Sequence, residues 1–468
     1  MDKVLRNWYN TGNTGFVKYE EKVLRYREID EQSDHIFLVL SEMGIKEGDV
    51  ILSIIKNPLD NVILFFAVVK CGAILFPINP VIEKSLYDHV ISNAKPKLII
   101  SDFNNEGISF ETLKNRSIKG NRLNPNQNYN PERTVLTLLT GGSTGTPKGA
   151  EISENAIMWN AFNTVLTWGI NQSDRTLVCM PLYHTGGWNI LLIPTLIAGG
   201  SVIFSENNFD PDEIINLIEK ERITIFMGVP TMYEKIVASS EFYKKDLSKV
   251  RMISGGGKLR KETYEKLLEI NIKVFQGYGL TEAGPNNFYI SPENQKKFPD
   301  SVGTPCIFVE VKLAEDGELL IRGKHLFSRY MFGSDIDPFE MDGYFKTGDI
   351  FRTNELGYYF FVQRKKNVIK TGGENVYATE IEDIILTLPY VVECSVIGMP
   401  DNYWGEAVVA FVKTNEVKSE EQLRKDLKMK LSGYKVPKRV IFVNNLPRNA
   451  VGKVSREELV RLYEKSVH

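Results

Sequence analysis

Cysteine is scarce in this chain: Cys71, Cys179, Cys306 and Cys394 are all that 468 residues contain. None pairs as CxxC, so neither a zinc site nor a disulfide framework is indicated, and a reduced, cytoplasmic compartment is the simplest fit. Charge bias is missing too. A formal net charge of −2 leaves no electrostatic footprint for nucleic acid, so any anionic ligand must be met by local groups. The N-terminus, Met1-Asp2-Lys3-Val4-Leu5-Arg6, lacks the apolar core of a signal peptide. One long stretch, Thr176 to Ser205, is free of charge, whereas a membrane span needs about 20 continuous apolar residues. Pro181, His184, Gly186, Gly187, Asn189, Pro194, Gly199 and Gly200 interrupt it. It therefore reads as buried enzyme core beside a pocket. There is no internal repeat and no low-complexity segment.

What is present is βα alternation. Tyr26 to Leu40 has helical apolar spacing, Val50 to Ile55 reads as a buried strand, Pro58 to Val69 as an apolar helix, and Leu98 to Ser101 as another strand. The pattern resumes with strands at Thr176–Met180, Ile223–Met227, Lys249–Ser254 and Ile272–Phe275, and a helix over Asp210–Arg222. Such alternation predicts an α/β fold with mainly parallel sheets. From Phe308 to Val362 short strands broken by Asp-Gly and Leu-Gly turns predict a small β-rich subdomain. Beyond the basic segment Gln363 to Asn367, about 100 residues of α+β texture are enough for a separate domain. The expected division is 1–365 and 366–468.

The densest chemical signal is Thr140-Gly141-Gly142-Ser143-Thr144-Gly145-Thr146-Pro147-Lys148-Gly149, directly after the apolar run Val135 to Leu139. Glycines let backbone N–H groups approach a polyanion, hydroxyls add donors, and Lys148 neutralises charge. Pro147 before the lysine and Gly149 after it separate the loop from the P-loop of NTPases. His184 sits in Pro181-Leu182-Tyr183-His184-Thr185-Gly186-Gly187-Trp188, at the entrance to the uncharged stretch. Gln276 to Gly284 follows a strand end, the place where parallel α/β sheets bind ligands. There Tyr278 offers an aromatic face, Thr281 a hydroxyl or a helix N-cap, and Glu282 a hard oxygen suited to Mg²⁺ on phosphates. Asp349, in Thr347-Gly348-Asp349, can accept ribose hydroxyls, with Arg364 as a second contact. Lys453, after Gly452, can reach into a neighbouring cleft.

In order and spacing these clusters resemble the adenylate-forming superfamily of acyl-CoA synthetases, luciferases and adenylation domains, over essentially the whole chain. The resemblance also takes in Gly255-Gly256-Gly257 and Gly372-Gly373-Glu374-Asn375, and is strongest to carboxylate–CoA ligases of the fatty-acid and o-succinylbenzoate kind. It implies attack of a carboxylate on the α-phosphate of Mg·ATP, then displacement of AMP by coenzyme A. Thr140, Gly142, Ser143, Thr144, Gly145 and Lys148 would then hold the β/γ-phosphates and Glu282 the metal. Gly255, Gly256, Tyr278, Gly279 and Thr281 would flank the nucleotide, with Asp349 and Arg364 on its ribose. Lys453 would bridge carboxylate and phosphate, and His184 would gate the acyl cavity. Tyr183, Trp188, Val229 and Asn286 would line that cavity.

The C-terminal domain would be mobile about Lys366, bringing Lys370, Gly372 and Gly373 to the CoA side. Departures from the family pattern are mild: Lys366 where many relatives carry aspartate, Gln363 and Ala378 for a common glycine and proline, and Gly141 for a serine. Expected partners are a small carboxylic acid, fatty or aromatic, with ATP and CoA; no nucleic acid; no integral membrane segment; and a homodimer as one assembly. Competing readings are o-succinylbenzoate as the acid, delivery to a carrier protein instead of CoA, and a nucleotide-binding regulator without catalysis.

Overall fold

The apolar run after Asn57 forms the helix Pro58–Cys71. Asn57 accepts the Leu59 N–H, Pro58 fills the first turn, and Gly72 closes the helix at φ +70°. Every residue from Leu59 to Cys71 is buried, the behaviour of a helix apolar on all sides. Its one cation is satisfied rather than exposed: the Lys70 ammonium donates to Asp30 at 2.8 Å, Ser33 at 2.7 Å and Asp34 at 2.6 Å.

The computed structural model describes residues 1–103, 107–118, 130–141, 147–206, 209–333, 337–448 and 454–467. The chain forms two units. The first comprises Met1–Lys312, Leu320–Lys346 and Asn354–Tyr359; the second comprises Leu313–Leu319, Thr347–Thr353 and Phe360–His468.

Two large sheets build the first unit. A nine-stranded sheet runs, edge to edge, Thr304–Pro305, Phe288–Ile290, Lys273–Tyr278, Arg251–Ser254, Ile225–Gly228, Arg175–Val178, Ser201–Phe204, Phe16–Tyr19, Lys22–Arg25. Its six central strands are parallel and its margins antiparallel. A six-stranded sheet runs Arg329–Tyr330, Lys148–Ser153, Thr134–Thr140, Ile74–Pro77, Val50–Ile54, Leu98–Ser101. The uncharged Thr176–Ser205 stretch folds as two short strands around the wide turn Gly186–Ile190 and the helix Leu192–Ile197. No helix among the described residues is long and apolar enough to cross a membrane. The expected β-rich region contains a four-stranded sheet of Glu310–Leu313, Glu318–Arg322, Phe345–Thr353 and Tyr359–Arg364.

In the second unit a twisted sheet runs Glu374–Tyr377, Val368–Thr371, Gly405–Thr414, Val391–Asp401, with Arg439–Phe442 alongside Gly405–Thr414. Alternation along that central strand decides the layers. Val408, Ala410 and Val412 pack under Ile381 and Ile385 of the helix Ala378–Leu386 and Leu423 and Leu427 of the helix Glu420–Lys428. Val409 and Phe411 point to the other face and pack with Leu459 of the helix Arg456–Val467.

Candidate active site

Three neighbouring parallel strands end in step. Gly228 pairs with Ser254, and Ser254 with Gln276, so the loops that follow leave the same edge of the sheet. Val229, Gly255–Gly256 and Tyr278–Glu282 are thereby gathered at the carboxyl ends of parallel strands, the edge at which such sheets bind ligands. Val229 lies against the second of these loops: a Cβ built on Gly256 would sit 3.6 Å from its Cγ1. Gly256 has φ +77°, which a side chain would strain. The Ser254 hydroxyl is buried and has no hydrogen-bond partner among the described residues.

The turn after Tyr278 has one permissible residue at its start. A Cβ on Gly279 would stand 2.0 Å from the carbonyl oxygen of Pro285. Thr281–Ala283 forms a single 3-10 turn whose N-cap is Leu280 and which has no side-chain cap bond, so Thr281 does not cap it, contrary to one sequence expectation. The Phe327 N–H donates to the Glu282 carbonyl at 2.8 Å, and the Asn287 N–H to the Tyr278 carbonyl at 3.0 Å. The Tyr278 ring packs edge-on against Phe288.

The glycine-rich loop connects two antiparallel strands whose last pair is Thr140 with Lys148. Gly142, Ser143, Thr144 and Gly145 lie outside the described residues, as does Lys453. The two ends of the loop are in place. The Thr140 hydroxyl is buried without a partner among the described residues. The Lys148 ammonium stands 4.5 Å from the centroid of the Tyr330 ring, and the Tyr330 hydroxyl donates to Glu282 Oε1 at 3.1 Å. The fold thus joins the loop's lysine to the expected metal ligand, about 130 residues away in sequence, through one aromatic side chain.

In the expected acyl segment, Tyr183 is half-buried and packs edge-on against His184, which is exposed. Burial pushes the Tyr183 phenol upward, so it remains a neutral donor. Trp188 and Asn286 are buried. The Trp188 indole N–H bonds to the Leu182 carbonyl and its ring lies 4.9 Å from that of Phe65. The Asn286 amide donates to Thr164 Oγ1 at 2.5 Å and to the Asn189 carbonyl at 3.3 Å. Two thioethers stand behind the glycines of this region. A Cβ on Gly186 would meet Met180 Cε at 3.0 Å, and one on Gly255 would meet Met227 Cε at 3.3 Å.

The second unit holds its own constellation. Asp349 is 1% exposed, and Arg364 Nε lies 2.9 Å from its Oδ1. Around it, Thr347 donates to the Leu319 carbonyl at 2.7 Å, and the Gly348 N–H, at φ +70°, donates to Glu318 at 2.9 Å. Lys366 lies in the turn Lys365–Asn367, where its carbonyl and the Asn367 side-chain oxygen accept from Arg456. Burial, then Arg364 and Arg456, hold the Lys366 ammonium below its ordinary range. Lys370 lies on a hairpin closed by Gly372 (φ +60°) and Gly373 (φ +84°), a pair suited to a two-residue turn. The Gly372 N–H donates to the Trp404 carbonyl at 2.8 Å.

Sequence reasoning missed Tyr330 and its neighbour Arg329, which pairs with Glu151 at 2.8 Å. No motif marks them; only the docking of a two-residue edge strand brings them to the site.

Fold and site define an α/β nucleotide enzyme of the adenylate-forming kind. The family model of AMP-binding enzymes matches residues 5–331, and that of the AMP-binding enzyme C-terminal domain matches residues 380–453. The chain belongs to the AMP-binding enzyme family. It is similar to a feruloyl-CoA synthase from Amycolatopsis sp, 30% identical over 96% of this chain and 95% of that one. A 2-succinylbenzoate–CoA ligase from Listeria monocytogenes is 30% identical over 96% of each chain. Among solved structures, ATP-bound MatB from Rhodopseudomonas palustris superposes with a TM-score of 0.87 at 26% identity, covering 99% of both chains.

Proposed function

We propose that this chain is an ATP-dependent carboxylate–CoA ligase. It joins a carboxylic acid to AMP with release of pyrophosphate, then transfers the acyl group to the thiol of coenzyme A with release of AMP. The observation that carries the reading is the Lys148–Tyr330–Glu282 array at the mouth of the loops after Gly228, Ser254 and Gln276.

Lys148 and the Thr140 hydroxyl take the β/γ-phosphates, together with Gly142, Ser143, Thr144 and Gly145. Gly255, Gly256, Tyr278, Gly279 and Thr281 enclose the nucleotide, and Asp349 and Arg364 take the ribose hydroxyls. Lys453 bridges the reacting carboxylate and the α-phosphate, where positioning and charge stabilisation supply most of the rate. The residues present fit Mg²⁺ held on ATP. No cluster of three or more His, Cys, Asp or Glu exists among the described residues, whereas the single carboxylate of Glu282 has one oxygen held by Tyr330. One or two carboxylates plus substrate phosphates is the usual Mg²⁺ set. When bound there the metal neutralises phosphate charge. Lys366 serves as hinge and Lys370, Gly372 and Gly373 as the CoA-side loop, with domains divided at 365/366.

The acid is apolar, fatty or aromatic. Met180, Met227 and Val229 flank glycines 186, 255 and 256, an apolar setting in which each buried CH₂ contributes about 0.8 kcal/mol. Tyr183 and His184 stand at its entrance, with Trp188 and Asn286 in its wall. The four free cysteines, three of them buried, suit a reducing cytoplasm.

The test is a panel of carboxylates from acetate through long-chain and aryl acids, read as CoA-dependent AMP release, with hydroxylamine trapping of acyl-AMP. Trapped acyl-AMP without thioester would favour a carrier-protein acceptor. ATP binding with no product from any acid would replace the ligase reading with a regulatory one.

A further inference from the structure

The ligase reading assigns Tyr330 no role of its own. It lies on the edge strand Arg329–Tyr330, paired antiparallel to Lys148–Ser153 through Tyr330–Ala150 and Arg329–Glu151. The strand is pinned along its length. Ser328 N–H donates to the Glu151 carbonyl at 2.8 Å, Met331 N–H to the Gly149 carbonyl at 2.7 Å, and the Arg329 guanidinium to the Glu151 carboxylate at 2.8 Å. Just before it, the Phe327 N–H holds the Glu282 carbonyl. One short strand therefore fastens both the strand that carries Lys148 and the turn that carries Glu282.

The side chain repeats what the backbone does. Its hydroxyl donates to Glu282 Oε1 at 3.1 Å, while its ring face sits 4.5 Å beneath the Lys148 ammonium. Packing against the Phe327 ring at 4.8 Å limits the rotation of the phenol. Bonding of one carboxylate oxygen leaves the other to a metal, and stacking of the ammonium confines a flexible lysine.

We propose that Tyr330 is a positioning residue for phosphate handling, with its hydroxyl aiming Glu282 and its ring face placing Lys148. This rests on the reading of Glu282 as metal ligand and Lys148 as phosphate contact. The two halves of the side chain have separable effects. Tyr330→Phe keeps the ring and removes the hydroxyl, so metal affinity in the ATP complex falls about tenfold, the size expected for one hydrogen bond to a charged group. ATP affinity at saturating metal stays within about twofold. Tyr330→Leu removes both and also weakens ATP several-fold, roughly the loss of one cation–π contact. Tyr330→His, a smaller donor, recovers part of the metal affinity lost in Tyr330→Phe.

The experiment uses the full chain with Mn²⁺ as the probe, its binding to the ATP complex without acid read by electron paramagnetic resonance, and ATP affinity read by calorimetry. Thermal unfolding is followed for every variant, and Glu282→Gln serves as the reference. Weakened Mn²⁺ in both Glu282→Gln and Tyr330→Phe, with ATP affinity spared in the latter, supports the proposal. Weakened Mn²⁺ in Glu282→Gln but not in Tyr330→Phe overturns it and leaves the site reading intact. Unchanged Mn²⁺ binding in Glu282→Gln overturns the metal-ligand reading itself. A lowered unfolding midpoint in the Tyr330 variants, with Mn²⁺ and ATP affinities unchanged, reduces Tyr330 to a strut and also overturns the proposal.

Discussion

Adding a single methyl group at Gly279 should impair adenylation. A Cβ there stands 2.0 Å from the Pro285 carbonyl oxygen and 2.3 Å from its carbon, roughly 1.4 Å short of ordinary contact. The carbonyl is backbone and an alanine methyl has no rotamer to turn, so the loop from Gly279 to Pro285 must open by about 1 Å. Glu282 lies midway along that loop. An opening of this size stretches its 3.1 Å bond from Tyr330 past hydrogen-bonding range and shifts the carbonyl that receives Phe327. A misplacement of 1 Å costs on the order of 10²-fold in rate. Overpacking of this kind costs about 1–3 kcal/mol in stability. Gly279→Ala should therefore lose about 10²-fold in acid-dependent ATP–pyrophosphate exchange, with a modest fall in the unfolding midpoint. A variant that exchanges within about threefold of the parent would show that the turn tolerates displacement and that Glu282 needs no such precision.

Three further outcomes are expected. Lys453→Ala should cut acyl-AMP formation by at least roughly 10²-fold yet leave thioester formation from supplied acyl-AMP nearly intact; equal loss in both half-reactions would remove Lys453 from its bridging role. Lys366→Pro, which fixes φ in the turn Lys365–Asn367, should slow thioester formation several-fold more than pyrophosphate exchange, and unchanged thioester rates would argue against a hinge there. Burial raises the Glu382 carboxyl from 4.5 to about 7, against the opposing Val396 N–H bond of 2.7 Å. The folded chain thus keeps a proton that the unfolded chain has released, so stability present below pH 4.5 is lost as pH rises toward 7. Glu382→Gln should match the parent near pH 4 and exceed it by up to roughly 3 kcal/mol near pH 8 in denaturant titrations; parallel curves would contradict the assignment.

Much of the fold is written locally. Asn57-Pro58 and Gly72 mark both ends of an apolar helix, and the strand Leu98–Ser101 emerges with its expected limits. Elements whose identity depends on distant partners are not written that way. Phe16–Tyr19 and Lys22–Arg25 form a hairpin with mixed burial, and its place is set by pairing with Ser201–Phe204 far along the chain. The strand Ile74–Pro77 is separated by only two residues from the apolar helix Pro58–Cys71, so its short apolar run merges with the helix's, and its place is set by pairing with Val50–Ile54 and Thr134–Thr140.

The site divides along the same physical line. Residues proposed to touch ligand through backbone or one functional atom come in dense clusters, and the clusters at Thr140–Gly149, Gly255–Gly257 and Gln276–Gly284 are visible before any fold is known. Residues that act by holding those clusters need only an aromatic ring or a guanidinium in the right place, which any sequence supplies many times over. Tyr330 and Arg329 belong to this second kind, and so does the buried amide set Asn160, Asn189 and Asn286 behind the Glu282 turn. Their specificity lies in register: Tyr330 opposes Ala150, two residues beyond Lys148 on the same face of the paired strand. A slip of one residue would turn the ring to the opposite face and leave Lys148 and Glu282 unconnected. The Arg329–Glu151 ion pair, with a buried carboxylate at 4% exposure, holds that register, and so a surface-looking arginine governs the alignment of Tyr330 with Lys148.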